Sequence, residues 1–291
     1  MSISKYSTFA VIGGDKRQLY TAKSIADDGY CVTIGGFDSV SLNNSLKNED
    51  AATAALNSSI IILPLPAVKN GNILNAPFSD EFIYFDDRLI KAVAGKKIFC
   101  GMKNKLLSAV PALDKDLVYD YLEREELAVQ NAVATAEGAL EIAMRQYDGT
   151  VNHSRCLVCG YGRIGKVLSQ MLKGLGADVT VSARKKSDLA WISLSGYRAI
   201  HTDDLKEYSG FDLIFNTIPS MIFDSVVLAH TAVDAIVIDL ASLPGGVDFA
   251  AARRLGITAF QALSLPGKAA PKTAGEIIKN TIYNMLEEDN R

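Results

Sequence analysis

The stretch Arg155-Cys-Leu-Val-Cys-Gly160-Tyr-Gly162-Arg-Ile-Gly165 decides the fold. It predicts a buried strand that ends in Gly-x-Gly-x-x-Gly, followed by a helix over Ile164–Leu175 and a second strand over Ala177–Ala183, the spacing of a β-α-β unit. In such a unit the first glycine permits a tight turn, the second lets the backbone approach a pyrophosphate, and the third lets the helix pack closely on the strand. The helix amino terminus then stabilises the phosphates. A turn that uses glycine only for its own geometry is the alternative. The nucleotide-binding candidates are Gly160, Gly162, Arg163, Ile164 and Gly165.

The residues that close the second strand indicate which nucleotide is bound. An acid at this place accepts from the free ribose 2′-hydroxyl of NAD, whereas an arginine accommodates the 2′-phosphate of NADP. The chain has Ser182-Ala-Arg-Lys-Lys186 here, and Asp178 lies at the wrong end of the strand. A basic run on a solvated loop is the alternative. We therefore predict NADP as the cofactor, with Ser182, Ala183, Arg184 and Lys185 on the ribose side.

Short apolar runs alternate with helical patterns along nearly the whole chain of 291 residues, which predicts parallel sheets covered by helices. Strands are predicted at Thr8–Ile12, Tyr30–Ile34, Ser59–Leu63, Lys97–Cys100, Cys156–Cys159, Asp178–Ala183, Asp212–Asn216, Ala235–Asp239 and Ile257–Phe260. Helices are predicted after Asp15, around Asp86–Ala94, over Glu125–Tyr147 and over Thr273–Glu288.

This alternation predicts an α/β fold with two Rossmann-like, doubly wound parallel-sheet domains, joined by two crossing helices and separated by a cleft. The predicted boundaries are a substrate domain over 1–126 that is completed by the C-terminal helix 273–291, a connecting helix over 127–150, and an NADP-binding domain over 151–272.

Three loops follow strands of the second half at their carboxyl ends, where open α/β sheets bind ligands. They are Asn216-Thr-Ile-Pro219, Asp239-Leu-Ala-Ser242 with Pro244-Gly-Gly246, and Leu265-Pro-Gly-Lys268 with Pro271-Lys-Thr273. We expect each to form a wall of the nicotinamide or substrate pocket, with ordinary turn chemistry as the alternative. The cofactor candidates among them are Asn216, Thr217, Ile218, Pro219, Asp239, Leu240, Ala241 and Pro266.

The first half has a strand-to-helix turn of its own, Val11-Ile-Gly-Gly-Asp-Lys-Arg-Gln18, which lacks the third glycine. We expect this turn to receive substrate carboxylates through its backbone N–H groups and Arg17, rather than to bind a second nucleotide. In the long helix, Asn131, Thr135 and Gly138 share one face. A glycine inside a helix suggests close approach of another backbone there, with simple helix packing as the alternative.

Composition excludes several classes of protein. Thirty Lys and Arg against 33 Asp and Glu give a net charge of −3, so a nucleic-acid binder is not expected. No apolar run is long enough for a membrane span, and the start lacks the layout of a signal peptide, which favours a cytoplasmic protein. Cys156 and Cys159 lie on opposite faces of one strand, so we expect small core residues and no metal or dithiol site.

The three histidines, His153, His201 and His230, do not lie where the acid or base of a hydride transfer is expected. His201 begins a His-Thr-Asp-Asp stretch typical of a helix cap. This argues against a 2-hydroxy-acid dehydrogenase, in which a histidine abstracts the alcohol proton.

Six stretches then occur in order along nearly the full length: Val11–Asp15 with Arg17-Gln18, Thr135–Gly138, Asn216–Met221, Asp239–Ser242, Pro244–Gly246 with Asp248-Phe249, and Leu265–Gly267 with Ala270–Gly275. Together they resemble the A subunits of dipicolinate synthase from spore-forming bacteria, although the glycine-rich element alone is shared with shikimate, 2-hydroxy-acid and alanine dehydrogenases. The resemblance implies an NADP-linked oxidoreductase that converts dihydrodipicolinate, from the lysine pathway, to dipicolinate (pyridine-2,6-dicarboxylate) during sporulation. It also implies a flavoprotein-like B subunit as partner and the mother-cell cytoplasm as location.

No catalytic residue carries over from that family, so the candidates rest on the implied reaction and on position in the chain. Aromatisation favours loss of a hydride and a proton, so the site mainly has to hold the ring against the nicotinamide and compensate two carboxylates. The catalytic candidates are Arg17 as the cation of one domain, Lys268 and Lys272 as those of the other, Thr135 and Ser242 to orient the ring, and Glu137 as the base.

Different function classes stay open. The chain is either itself the oxidoreductase, or an NADP-binding regulatory or scaffold subunit whose partner carries the chemistry. The absence of an obvious acid–base pair favours the second class. A shikimate-dehydrogenase-like enzyme for another small acid is a third interpretation, and a homo-oligomer is compatible with each.

Overall fold

The computed structural model describes Ser4, residues 6–40 and residues 46–289. The chain forms two compact units, Met1–Gln130 with Ala270–Arg291, and Asn131–Ala269. Residues 1–3, 5, 290 and 291, at the ends of the predicted first domain, lie outside the described residues. No helix in the described part of the chain is long and apolar enough to cross a lipid bilayer.

Each unit is built from six strands with covering helices. The first unit contains β1 (Thr8–Ile12), α1 (Lys16–Asp27), β2 (Cys31–Gly35), β3 (Lys47–Glu49), α2 (Ala51–Leu56), β4 (Ile60–Ile62), α3 (Asp87–Val93), β5 (Lys97–Cys100), α4 (Lys103–Ala109), β6 (Val118–Asp120) and the start of α5 (Glu125–Gln146). The second unit continues with β7 (Arg155–Cys159), α6 (Arg163–Gly174), β8 (Asp178–Ala183), α7 (Lys186–Leu194), β9 (Arg198–His201), β10 (Leu213–Asn216), α8 (Ser225–Ala229), β11 (Ile236–Asp239), α9 (Phe249–Arg254), β12 (Thr258–Gln261) and α10 (Leu265–Ala269). The last helix, α11 (Pro271–Asp289), belongs to the first unit again.

The two sheets share one strand order. It is β3-β2-β1-β4-β5-β6 in the first unit and β9-β8-β7-β10-β11-β12 in the second, with every paired strand parallel. The direction of winding therefore reverses between β1 and β4 in one sheet and between β7 and β10 in the other, as in the doubly wound Rossmann fold. The predicted fold class is confirmed.

All the predicted strands are present, with ends that differ by at most one residue. The strands β3, β6 and β9 were not predicted, and all three are outer strands of their sheets. An outer strand pairs on one side only and is partly exposed, so it needs no continuous apolar run. The short sequences Lys-Asn-Glu, Val-Tyr-Asp and Arg-Ala-Ile-His accordingly have no strand pattern.

The side chains of the central strands alternate between two apolar layers, one on each face of the sheet. In β7, Cys156 and Val158 face one layer, and Leu157 and Cys159 face the other. Burial raises the pKa of the Cys156 thiol to about 11 and that of Cys159 to about 12. Both cysteines are therefore neutral core residues, as expected, and no group of metal-ligating side chains occurs among the described residues.

The C-terminal helix packs along α1. Ile277, Ile278 and Ile282 of α11 join the apolar layer that contains Leu19 and Ile25 of α1. The two helices are in close contact at Gly275, whose carbonyl oxygen accepts the Thr21 hydroxyl at 3.0 Å. A Cβ added to Gly275 would lie 2.5 Å from the Arg17 carbonyl oxygen and 2.7 Å from Tyr20 Cβ. The crossing therefore requires a residue without a side chain.

We expect Gly275→Ala to lower the free energy of unfolding of the first unit by about 1–3 kcal/mol, the usual cost of overpacking. Gly174→Ala is the matched control, because an added Cβ at this helical position would meet no atom within 4 Å. Alanine there should be neutral or stabilise the second unit by up to about 1 kcal/mol. Urea denaturation of the two variants measures both changes, and equal stability of both variants would contradict the close crossing.

Candidate functional site

The glycine loop of the second unit lies at the switch point between β7 and β10. Gly160 has a φ of 98°, which favours glycine, and a Cβ added to Gly165 would overlap the Gly160 carbonyl oxygen. Gly162 begins α6 in extended conformation without a cap from any described side chain, and a Cβ added to it would meet no atom within 4 Å. The loop thus combines a tight turn and a close helix–strand contact with open space beside an uncapped helix terminus, the arrangement that suits a pyrophosphate.

The ribose-side candidates separate into exposed and buried residues. Arg184 and Lys185 are exposed and form no ion pair with any described residue, and α7 begins directly after them without a side-chain cap. Ser182 is fully buried, and its hydroxyl accepts from the Thr202 hydroxyl at 3.4 Å. Ala183 is buried as well. The Ser182 hydroxyl is therefore not available to a ribose phosphate, whereas the two cations are.

Two of the predicted cofactor residues, Asn216 and Asp239, form a buried pair at the ends of β10 and β11. Both are fully buried, and the Asn216 amide donates to Asp239 Oδ1 at 2.8 Å and to the Ile218 carbonyl at 3.0 Å. Asp239 also accepts the N–H groups of Ala241 at 3.2 Å and of Gly246 at 2.9 Å. These two side chains therefore hold the loops after their strands instead of facing a ligand.

The loop that follows β11 requires glycine at two positions, Gly245 and Gly246. A Cβ added to Gly246 would lie 2.7 Å from the carbonyl oxygens of Ile218 and Ser220, and one added to Gly245 would lie 2.6 Å from Asp239 Oδ2. The loops that follow β10 and β11 are thus one connected wall. The other predicted wall residues are half-buried Thr217, Ile218 and Pro266, exposed Pro219, and buried Leu240 and Ala241.

The corresponding turn of the first unit has its glycine N–H groups already bonded. The N–H of Gly13 donates to the Gly35 carbonyl at 2.8 Å and that of Gly14 to the Asn75 carbonyl at 2.7 Å. Asp15 caps α1 by accepting the Arg17 N–H at 2.9 Å, while the Gln18 side chain accepts the Asp15 N–H at 3.1 Å. The expectation that this turn receives carboxylates through its N–H groups is wrong, because protein atoms already satisfy those donors.

Arg17 itself is a buried cation with a close partner. Its guanidinium donates to both carboxylate oxygens of Asp15, at 2.8 Å from Nη2 and 3.0 Å from Nε, and lies 3.5 Å from the Leu65 carbonyl. Burial acts to lower the pKa of Arg17, but the hydrogen bond and the charge of Asp15 together outweigh it and the pKa is raised. Arg17 is therefore charged and fixed in position, with part of its charge compensated by Asp15.

The structure divides the remaining catalytic candidates between the units. Thr135, Glu137, Ser242 and Lys268 belong to the second unit, whereas Lys272 belongs to the first with Arg17, because α11 begins at Pro271. Glu137, Ser242, Lys268 and Lys272 are exposed. Thr135 is buried and donates its hydroxyl to the Asn131 carbonyl at 2.8 Å, so the hydroxyl is used within α5. The expected placement of Lys272 beside Lys268 in the nucleotide-binding domain is wrong.

At Gly138 the nearest atoms are side-chain atoms of a packed helix, so the alternative of helix packing applies and not the close approach of another backbone. A Cβ added there would lie 3.1 Å from Ala269 Cβ and 3.2 Å from Leu265 Cβ, so α5 crosses α10 at this glycine. The crossing places the helical turn that carries Glu137 against the helix that carries Pro266 and Lys268.

Two interactions that satisfy the N–H groups of the first turn were not predicted from the sequence. The Asp15…Gln18 spacing is a capping-box pattern and could have shown that the first turn satisfies its own helix terminus. The bond from Gly14 to Asn75 joins residues far apart in the chain, and no local pattern reveals it.

Comparison with known proteins identifies the family. Residues 8–118 match the model of the N-terminal domain of the dipicolinate synthase A subunit. The chain is 36% identical over 283 residues to the A subunit of dipicolinate synthase from Bacillus subtilis (strain 168), which covers 96% of this chain and 95% of that protein. The crystal structure of the B. subtilis dipicolinate synthase A chain superposes with a TM-score of 0.86 at 34% identity, over 99% of this chain and 97% of that one.

More distant structures share the fold alone. A transhydrogenase from Sinorhizobium meliloti superposes with a TM-score of 0.71 at 14% identity, over 96% of this chain and 94% of that one. The chain is 36% identical to the B. subtilis protein over nearly its full length and shares its architecture, so it belongs to the family of dipicolinate synthase A subunits.

Proposed function

We propose that this chain binds NADP in its second unit and oxidises dihydrodipicolinate to dipicolinate, acting with a B subunit in the cytoplasm of the sporulating mother cell. The observation that carries the proposal is the uncapped glycine loop at the β7–β10 switch point, in a chain of this family. Beside it, the end of β8 carries no acid and two cations that no described residue pairs with. Membership of the family supports the proposed substrate and partner. The geometry of the glycine loop in the second unit supports the proposed nucleotide.

The preference for NADP over NAD rests on charge. Arg184 and Lys185 are exposed and have no carboxylate partner among the described residues, so a 2′-phosphate can bind them without displacing an existing ion pair. The uncapped amino end of α7 adds N–H donors and a positive dipole end at the same place. NAD has only a neutral 2′-hydroxyl at this position, which forms no ion pair with these cations.

Bound NADP would supply a hydride acceptor at nicotinamide C4. The balance of the reaction is dihydrodipicolinate and NADP⁺ to dipicolinate, NADPH and one proton, so the chain has to bind two carboxylates and take up a proton. We assign binding of a substrate carboxylate to Lys268 of the second unit. Arg17 and Lys272, which belong to the first unit, stay predicted cations. Glu137 is the proposed base, and Ser242 is the proposed hydroxyl contact to the ring. We do not assign Thr135 a contact with the ring, because its hydroxyl donates to a carbonyl within α5.

A second candidate function is an NADP-binding subunit whose partner carries the chemistry. Two charged residues close to the carboxyl ends of the sheets, Arg17 and Asp239, are buried and already bonded to Asp15 and Asn216. In each unit the buried charged group is thus already bonded to a protein side chain, which suits binding better than proton transfer.

Arg184→Ala should weaken NADP binding by roughly ten- to a hundredfold and leave NAD binding within about twofold, since only the 2′-phosphate loses a charged partner. The control is Arg253→Ala, which removes an exposed arginine from the last turn of α9. Isothermal titration with both nucleotides measures the effect. Equal affinity of the wild-type chain for NADP and NAD would contradict the assignment.

Lys268→Ala should lower the turnover of dihydrodipicolinate at least about tenfold while NADP affinity stays within about twofold, because the lysine is assigned to the acid and not to the nucleotide. Lys115→Ala, at an exposed loop position of the first unit, should leave both unchanged. The assay follows NADPH and dipicolinate with and without the B subunit. Dipicolinate made by the B subunit alone at the full rate would favour the second candidate function.

A further inference from the structure

His201, the last residue of β9, makes two hydrogen bonds through its ring. Nε2 lies 3.1 Å from the Arg184 carbonyl oxygen, and Nδ1 lies 3.3 Å from the Asp203 backbone nitrogen and 3.7 Å from the Asp203 carboxylate Oδ2. A carbonyl oxygen only accepts and a backbone N–H only donates, so in these two hydrogen bonds Nε2 is the donor and Nδ1 the acceptor. The ring therefore caps the 3₁₀ turn Thr202–Glu207 with one nitrogen and holds the Arg184 carbonyl with the other.

The end of β8 is held from both sides at this place. On the β7 side, the Gly160 N–H donates to the Ser182 carbonyl at 2.9 Å. On the β9 side, His201 pairs in register with Ala183, and the neighbouring Thr202 hydroxyl donates to the buried Ser182 hydroxyl at 3.4 Å. Beyond Ala183, His201 bonds the backbone of Arg184 itself. This bond fixes the orientation of the Arg184–Lys185 peptide, because the C=O and N–H of a trans peptide are locked in one plane.

We propose that His201 is a positioning residue for recognition of the nucleotide 2′-phosphate, acting through the Arg184 carbonyl and not by contact with the ligand. The inference rests on the NADP binding proposed above. Arg184 and Lys185 have long side chains that no described residue pairs with, so an unrestrained peptide between them adds to the entropy lost when a phosphate orders both. The hydrogen bond from His201 Nε2 to the Arg184 carbonyl, here called the tether, removes part of that entropy cost when a 2′-phosphate binds. It does not change the affinity for a nucleotide that lacks the 2′-phosphate.

Two substitutions separate the tether from the cap. Glutamine carries its amide N–H the same number of bonds from Cα as His Nε2, so His201→Gln keeps a donor for the Arg184 carbonyl and loses the acceptor for Asp203. Asparagine carries its amide oxygen the same number of bonds from Cα as His Nδ1, so His201→Asn keeps the cap, for which asparagine is well suited, and loses the tether.

The test measures binding of 2′,5′-ADP and 5′-ADP to the full chain by isothermal titration, together with the melting temperature of each variant. The ratio of the two affinities isolates the 2′-phosphate. We expect His201→Asn to lower this ratio about three- to tenfold with an unchanged melting temperature. His201→Gln should keep the ratio within about twofold while its melting temperature falls by about 1–4 °C.

A ratio that stays at the wild-type value in His201→Asn would overturn the role of the tether and leave NADP binding intact. A ratio that falls in both variants in step with the melting temperature would overturn it too, since His201 would then be only a structural cap. If wild-type chain binds the two probes equally, the proposed preference for NADP is itself wrong and the inference falls with it.

Discussion

The amino end of a helix leaves N–H groups that need acceptors, and the two units differ in whether their own side chains provide these acceptors. α1 and α6 follow the first strands of two sheets with the same order. At α1 the acceptors are internal, because Asp15 and Gln18 form a capping box and Asn75 takes the Gly14 N–H. At α6 no side chain in the described part of the chain caps the helix. A phosphate approaching α1 would meet a carboxylate and N–H groups that are already bonded. At α6 it would meet N–H groups that no described side chain caps.

The wall beside the glycine loop depends on a second constraint, the buried pair of Asn216 and Asp239. A fully buried carboxylate is tolerated only when hydrogen bonds satisfy it, and Asp239 accepts such bonds from Asn216, Ala241 and Gly246. The same bonds join the loops that follow β10 and β11. Polar residues at the carboxyl ends of these strands thus hold the two loops together and are not exposed to solvent.

The sequence predicted the fold well and the use of individual side chains less well. Central strands such as Thr8–Ile12 are buried on both faces, so their apolar runs stand out, whereas the outer strand Lys47–Glu49 has no such run. The glycine loop was recognisable because backbone geometry forces glycine at fixed spacing. The burial of Ser182, the pairing of Asn216 with Asp239 and the bond of His201 to Arg184 join residues on different strands, so no local pattern contains them.

The most direct test of this account is amide hydrogen exchange of the full chain with and without saturating NADP. The account predicts slower exchange in peptides that span residues 160–166 and 183–187, and unchanged exchange in the peptide that spans residues 13–18. Protection of residues 13–18, or none at residues 160–166, would contradict the claim that the uncapped helix of the second unit binds the nucleotide and that the capped helix of the first does not.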